Sequence, residues 1–99
     1  MPLKYYIATS FQNKEAHKVC RHFFSDMGYE LTFDWTVYPF IAAPYVMNAI
    51  ATKEMDGLIA ADFVVVLLPG GRGTHTELGA ALALGKPTFI VAPHPQQLL

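Results

Sequence analysis

The chain reads as one α/β domain, a three-layer α/β/α sandwich built on a parallel sheet. Three observations carry that reading. Residues 63–68 form an unbroken apolar run rich in β-branched side chains, the pattern of a strand covered on both faces. Pro69-Gly70-Gly71 stops the run, and beyond Thr74 the residues Leu78, Ala81, Leu82 and Gly85 recur at helical spacing. Strand-like and helical patterns alternate in the same way along the rest of the chain, and short connections in that order require parallel strands with right-handed crossovers.

Taken in order, residues 3–8 make a first strand, apolar apart from Lys4. Thr9-Ser10-Phe11-Gln12-Asn13 is a polar turn, with Asn13 or Ser10 available to cap the helix that follows. In that helix Ala16, Val19, Cys20, Phe23, Phe24 and Met27 draw an apolar stripe, while Lys14, Glu15, Lys18 and Arg21 face water. Gly28 ends it where a left-handed residue is wanted. Residues 29–33 are a short second strand, and Asp34-Trp35-Thr36 leads into an irregular loop through Pro39 and Pro44. Residues 45–60 are helical, with Met47, Ile50, Leu58 and Ala61 on one side. The strand at 63–68 follows, then its helix to Leu84, a Gly85 cap and a fourth strand over 88–91. The most natural sheet order is 2-1-3-4, that of a flavodoxin-like fold, with no fifth strand evident. An edge like that of the fourth strand is usually covered or paired. Together with a 53% apolar composition it predicts a homodimer or a larger homo-oligomer.

Composition narrows the class. Ninety-nine residues suit one domain with one core, and 15% charged residues fit a globular rather than a disordered chain. A net charge of −1 gives no basic footprint for nucleic acid. The single Cys20 excludes an intramolecular disulfide and suits a reducing cytoplasm. The first apolar run is too short for a signal peptide, and Asp62 interrupts the longest one, so neither export nor a membrane partner is expected.

In a 2-1-3-4 sheet the switch point lies between the first and third strands, where the Thr9–Asn13 and Gly70–Gly73 turns face each other and a ligand should sit. The candidate ligand-binding residues are therefore Thr9, Ser10, Phe11, Gln12, Asn13, Gly70, Gly71, Arg72 and Gly73, joined by Asp34 and Trp35 at the end of the second strand. Trp35 fits core packing or stacking on a planar ligand. Thr74-His75-Thr76-Glu77 matches a capping box, in which Glu77 reaches back to the cap's own N–H. A carboxylate at a helix N-terminus is also stabilised as the anion, so Glu77 could serve as an ionised nucleophile. Glu54 lies four residues from both Ile50 and Leu58, on the inward stripe, where a charged residue is rare without a partner. Its other reading is a head group that snorkels to water. Together the two carboxylates suit glycosidic bond cleavage. Gly71-Arg72-Gly73 is neither a phosphate-binding P-loop nor a dinucleotide fingerprint. His17 and His22 do not share a helix face, so no metal is expected, and nothing calls for a cofactor.

Three segments resemble a known family: Y-I-A-T-S-F from Tyr6, A-A-D-F-V-V-V-L-L-P-G-G from Ala60, and T-E-L-G-A-A-L-A-L-G-K-P from Thr76. They are similar to the nucleoside 2-deoxyribosyltransferase-like family, whose superfamily includes 2′-deoxynucleoside 5′-monophosphate N-glycosidases. The resemblance covers nearly the whole chain. It implies a flavodoxin-like fold, a nucleoside or nucleotide as the small-molecule partner, and a ribosyl-enzyme mechanism. By this resemblance the nucleophile falls on Glu77, the second carboxylate on Glu54, and the tyrosine that holds the nucleophile on Tyr6. The chain departs from the pattern in two places. Glu54 is one methylene longer than the usual aspartate, and Gly71 stands where enzymes of free nucleosides carry an aspartate for the 5′-hydroxyl. A nucleotide-binding module without turnover and a small assembly subunit stay open as alternatives.

Overall fold

The computed structural model describes residues 2–38 and 43–93; the stretch 39–42, with Pro39, and the residues beyond Pro93 lie outside them. Its elements run β1 (Lys4–Ala8), α1 (Lys14–Asp26), β2 (Glu30–Leu31), α2 (Pro44–Ala60), β3 (Phe63–Leu67), α3 (Arg72–Ala83) and β4 (Thr88–Val91), with 3-10 turns at Phe11–Asn13 and Trp35–Val37. All strands are parallel in the order β2-β1-β3-β4, and Tyr6 registers with Val64, which registers with Thr88. This is a flavodoxin-like α/β fold.

Strand alternation splits the core in two. Tyr6, Ala8, Val64 and Val66 pack with Leu58, Ala61 and Ala81 under α2 and α3. Tyr5, Ile7, Phe63, Val65 and Leu67 pack on the other face with Ala16, Cys20 and Phe24 of α1. Gly28 (φ +82°) and Gly85 (φ +69°) end their helices in the left-handed region, as expected of these glycines. Lys86 closes the end of α2 by donating to the Ile59 and Ala61 carbonyls at 2.6 and 2.7 Å.

Three expectations are corrected. The second strand shrinks to two residues, because Thr32 turns its hydroxyl to the Gly57 carbonyl (2.8 Å) and Asp34 caps the turn that follows by accepting from the Thr36 N–H. Neither Ser10 nor Asn13 caps through its side chain; Asn13 instead donates to the Thr9 hydroxyl at 3.0 Å. The apolar stripe of α1 is wider than the surface it covers, so Val19, Phe23 and Met27 are exposed, while His17, outside that stripe, is fully buried.

Candidate active site

The site stands on the C-terminal ends of β1 and β3, where the sheet order reverses. Thr9 donates to the Leu67 carbonyl at 2.7 Å and accepts from Asn13, so the first turn is tied to the end of β3. Across from it, the chain turns after the cis Leu68–Pro69 peptide and enters α3. Between the two turns lies a cleft of about 210 Å³. Thr9, Ser10, Phe11 and Gln12 line one wall; Gly71, Gly73 and Thr74 line the other; Glu54 and Glu77 complete it.

The helix start differs from the sequence reading. α3 begins at Arg72, so Thr74 is its third residue rather than its cap, and it is Thr74 whose hydroxyl accepts from the Gly71 N–H at 3.1 Å. Glu77 is thereby released from the capping box. It lies one turn further in, buried, and accepts from the Tyr6 hydroxyl at 2.7 Å. The same hydroxyl stands 3.3 Å from Glu54 Oε2. Tyr6 comes from the centre of the sheet, Glu54 from α2 and Glu77 from α3, so one phenol holds together two acids from two helices.

Burial dominates the electrostatics. It drives the Glu77 carboxyl up to about 8; the Tyr6 hydrogen bond opposes the rise, and the nearby Glu54 adds to it. The expectation of an ionised Glu77 is therefore corrected, since desolvation outweighs the helix terminus. Glu54 is also raised, again by burial first, against the Tyr6 and Glu77 hydrogen bonds. The two acids form one titrating unit that retains a proton at neutral pH. Tyr6 is pushed far above its ordinary value by burial and by the Glu77 charge, so it acts only as a neutral donor.

The remaining predicted residues divide. Arg72 is exposed beside the cleft, and Asn13 and Gly70 back its walls rather than line it. Asp34 turns away: it accepts from the Thr36 N–H at 2.9 Å and sits 3.5 Å from Arg21. Burial would raise its carboxyl, but the Thr36 bonds and Arg21 outweigh burial and hold it low. Trp35 is buried, donates to the Ile7 carbonyl at 3.1 Å, and meets Phe11 with ring centroids 6.4 Å apart. It supports the wall instead of forming it.

Sequence reasoning missed Thr74 as a wall residue, although its place just after the glycine turn was the available signal. It also missed Gly57. A Cβ there would fall 2.9 Å from Phe33 Cβ and 3.4 Å from the Tyr6 ring, so only glycine lets α2 lie this close to β1. A glycine inside a helical pattern signals such an approach. Among the described residues, no group of three or more His, Cys, Asp or Glu side chains is placed to hold a metal ion. No helix there is long and apolar enough to cross a membrane.

No curated protein and no solved structure matches the chain. The sequence profile of nucleoside 2-deoxyribosyltransferases matches residues 5–98, nearly the whole chain. With its 2-1-3-4 sheet and a cleft at the switch point, the chain belongs to the nucleoside 2-deoxyribosyltransferase family.

Proposed function

We propose that this protein cleaves or transfers at the N-glycosidic bond of a deoxynucleoside or its 5′-monophosphate, with Glu77 as nucleophile. The observation that carries this reading is the Tyr6 hydroxyl bonded to both Glu77 and Glu54 beside the cleft. At 2.7 and 3.3 Å from one oxygen, the two carboxylate oxygens cannot be further apart than those distances together. The two carboxyl groups also stand within hydrogen-bonding reach of each other, closer than the ~6.5–9.5 Å that inverting glycosidases need for an intervening water. The spacing favours a covalent sugar–enzyme intermediate.

In the first step a Glu77 oxygen bonds to C1′ as the C1′–N bond breaks, and the proton held by the pair passes through Glu54 to the departing base. Tyr6 keeps its proton and fixes the attacking carboxylate. In the second step water or another base attacks C1′ and gives its proton to Glu54, and Glu77 is released. The Gly71, Gly73 and Thr74 wall, with Ser10 and Gln12 opposite, forms the end of the cleft suited to the 5′ group. Incubation with the four deoxynucleosides and their monophosphates, followed by chromatography for free base, tests the proposal. Base release that disappears in Glu77→Gln is the expected result. Binding without release would leave a nucleotide-binding module instead.

A further inference from the structure

The chemistry of the cleft does not use His17, although it is fully buried in α1. Apolar packing does not explain it either. Its Nε2 has no hydrogen-bond partner among the described residues, a cost that a phenylalanine in the same space would not carry. What a histidine adds there is an acceptor. Arg21 Nη1 lies 2.8 Å from Nδ1, and a guanidinium can only donate, so Nδ1 accepts and the imidazole is neutral. The second side-chain torsion of histidine is broad and roughly two-fold, so this bond decides how the ring is turned.

The turned ring meets Trp35 edge-on, with centroids 4.9 Å apart and planes at 75°. Trp35 in turn lies against Phe11. Arg21 continues to Asp34 Oδ2 at 3.5 Å and to the Thr36 hydroxyl at 3.4 Å, the two residues that flank Trp35 in sequence. Trp35 is thus held from its own turn by Asp34 and from α1 by His17, with one arginine joining the two holds. Support matters at Phe11, because its 3-10 turn buries no residue and has no side-chain cap. Lys14, three residues before His17 on the same helix face, sets its ammonium 4.0 Å from the centre of the Phe11 ring. Among the described residues that line the cleft, Phe11 is the one large apolar side chain. We propose that His17 is a positioning residue for ligand binding: turned by Arg21, its imidazole seats Trp35 behind Phe11 and so sets that wall of the cleft. Tyr6, Glu54 and Glu77 stand on β1, α2 and α3, apart from this chain of contacts. A displaced wall therefore weakens binding and leaves the chemical step largely unchanged. This role rests on the cleft being a deoxynucleoside site, and a binding measurement separates the two.

Calorimetry with a deoxynucleoside 5′-monophosphate tests it, run on a Glu77→Gln background so that no turnover intervenes. Base-release kinetics on the native background and thermal melting accompany it. His17→Phe keeps a ring and loses the acceptor; Arg21→Met removes the donor from a side chain that is 27% exposed. Both should fold, and both should raise the dissociation constant and KM at least about threefold with kcat within about twofold. The double variant should bind no more weakly than Arg21→Met alone, because both changes break one link. Trp35 is the only tryptophan in the sequence, so its emission reports its seating, and both variants should shift it. Native affinity in a folded His17→Phe would reduce the imidazole to filler and overturn the proposal. Where that variant does not fold, native affinity in Arg21→Met would overturn it. So would additive effects in the double variant, or a fall in kcat at constant KM. A native chain that binds the monophosphate but releases no base would end the catalytic reading and leave this one standing; a native chain that does not bind it would end both.

Discussion

A change of Glu77 to glutamine removes its charge and leaves its hydrogen bond. The Tyr6 hydroxyl can donate to the amide oxygen as it does to the carboxylate, so Glu77→Gln should fold normally while base release falls by at least about a thousandfold. Steady-state assay beside thermal melting separates the two effects; retained turnover would remove Glu77 from the chemistry. The shared proton makes a second prediction. The proposed reaction needs one proton to hand to the base and one free carboxylate to attack, and burial places the loss of the Glu77 proton at about 8. The pH profile of kcat/KM should therefore fall as pH rises through about 8. A profile still climbing beyond that would mean no proton from this pair is used. At this scale the sequence was informative about identity and misleading about state. Resemblance pointed to Tyr6, Glu54 and Glu77, and the structure brings all three together. Their protonation was not legible, because it depends on burial that only the assembled helices create. Thr74 and Glu77 fit the capping box by spacing, yet the helix starts three residues earlier and moves Thr74 into another role.

α2 bears Glu54, and its distance from β1 is set by Gly57. Gly57→Ala puts a methyl group against Phe33 and the Tyr6 ring. It should destabilise the fold by about 1–3 kcal/mol, as overpacking does. It should also slow base release, because the helix cannot back away without moving Glu54 from Tyr6. Denaturant unfolding and turnover measured together check this; a loss of stability with full turnover would show that α2 repacks without shifting its acid. α3 carries the other half of the site. The N–H groups of its first turn have no partners within the helix, and Arg72 adds an exposed positive charge near them. Gly71, where an aspartate would repel phosphate, adds no negative charge there. A deoxynucleoside 5′-monophosphate should bind at least about tenfold tighter than the nucleoside, the worth of one charge-assisted contact. Calorimetry with both ligands decides, and equal affinities would exclude this turn as a phosphate site. Helix and strand periods were readable in order along the chain, whereas coverage was not. Val19, Phe23 and Met27 carry the same periodic signal as Ala16, Cys20 and Phe24, but α1 has sheet beneath only one side of its stripe.

Two buried groups should shape the stability of the whole molecule with pH, in opposite directions. His17 is lowered to about 4, by burial first; the Asp34 charge opposes this, and Arg21, whose guanidinium can only donate to Nδ1 at 2.8 Å, adds to it. The hydrogen therefore sits on Nε2, which has no partner among the described residues. The unfolded chain binds this proton more readily, so stability is lost as pH falls from about 6.5 towards 4. Glu77 has the opposite sign: the folded chain binds the proton more readily, so stability declines as pH rises from 4.5 towards about 8. Between roughly 6.5 and 8 only the second effect operates among these two, and Glu77→Gln should flatten the decline in melting temperature there. A slope unchanged by that substitution would show that Glu77 is not the source. Sheet order was legible because connection length and handedness leave few topologies. The meeting of Tyr6 with acids 48 and 71 residues away was not, since no local pattern encodes a distance across the chain. That separation has a kinetic consequence. The three groups lie on segments that touch only after β1, α2 and α3 have all docked, and contacts so remote in sequence close late in folding. Recovery of turnover should therefore trail recovery of helical signal on refolding, which makes this trio an internal clock for the completion of the fold.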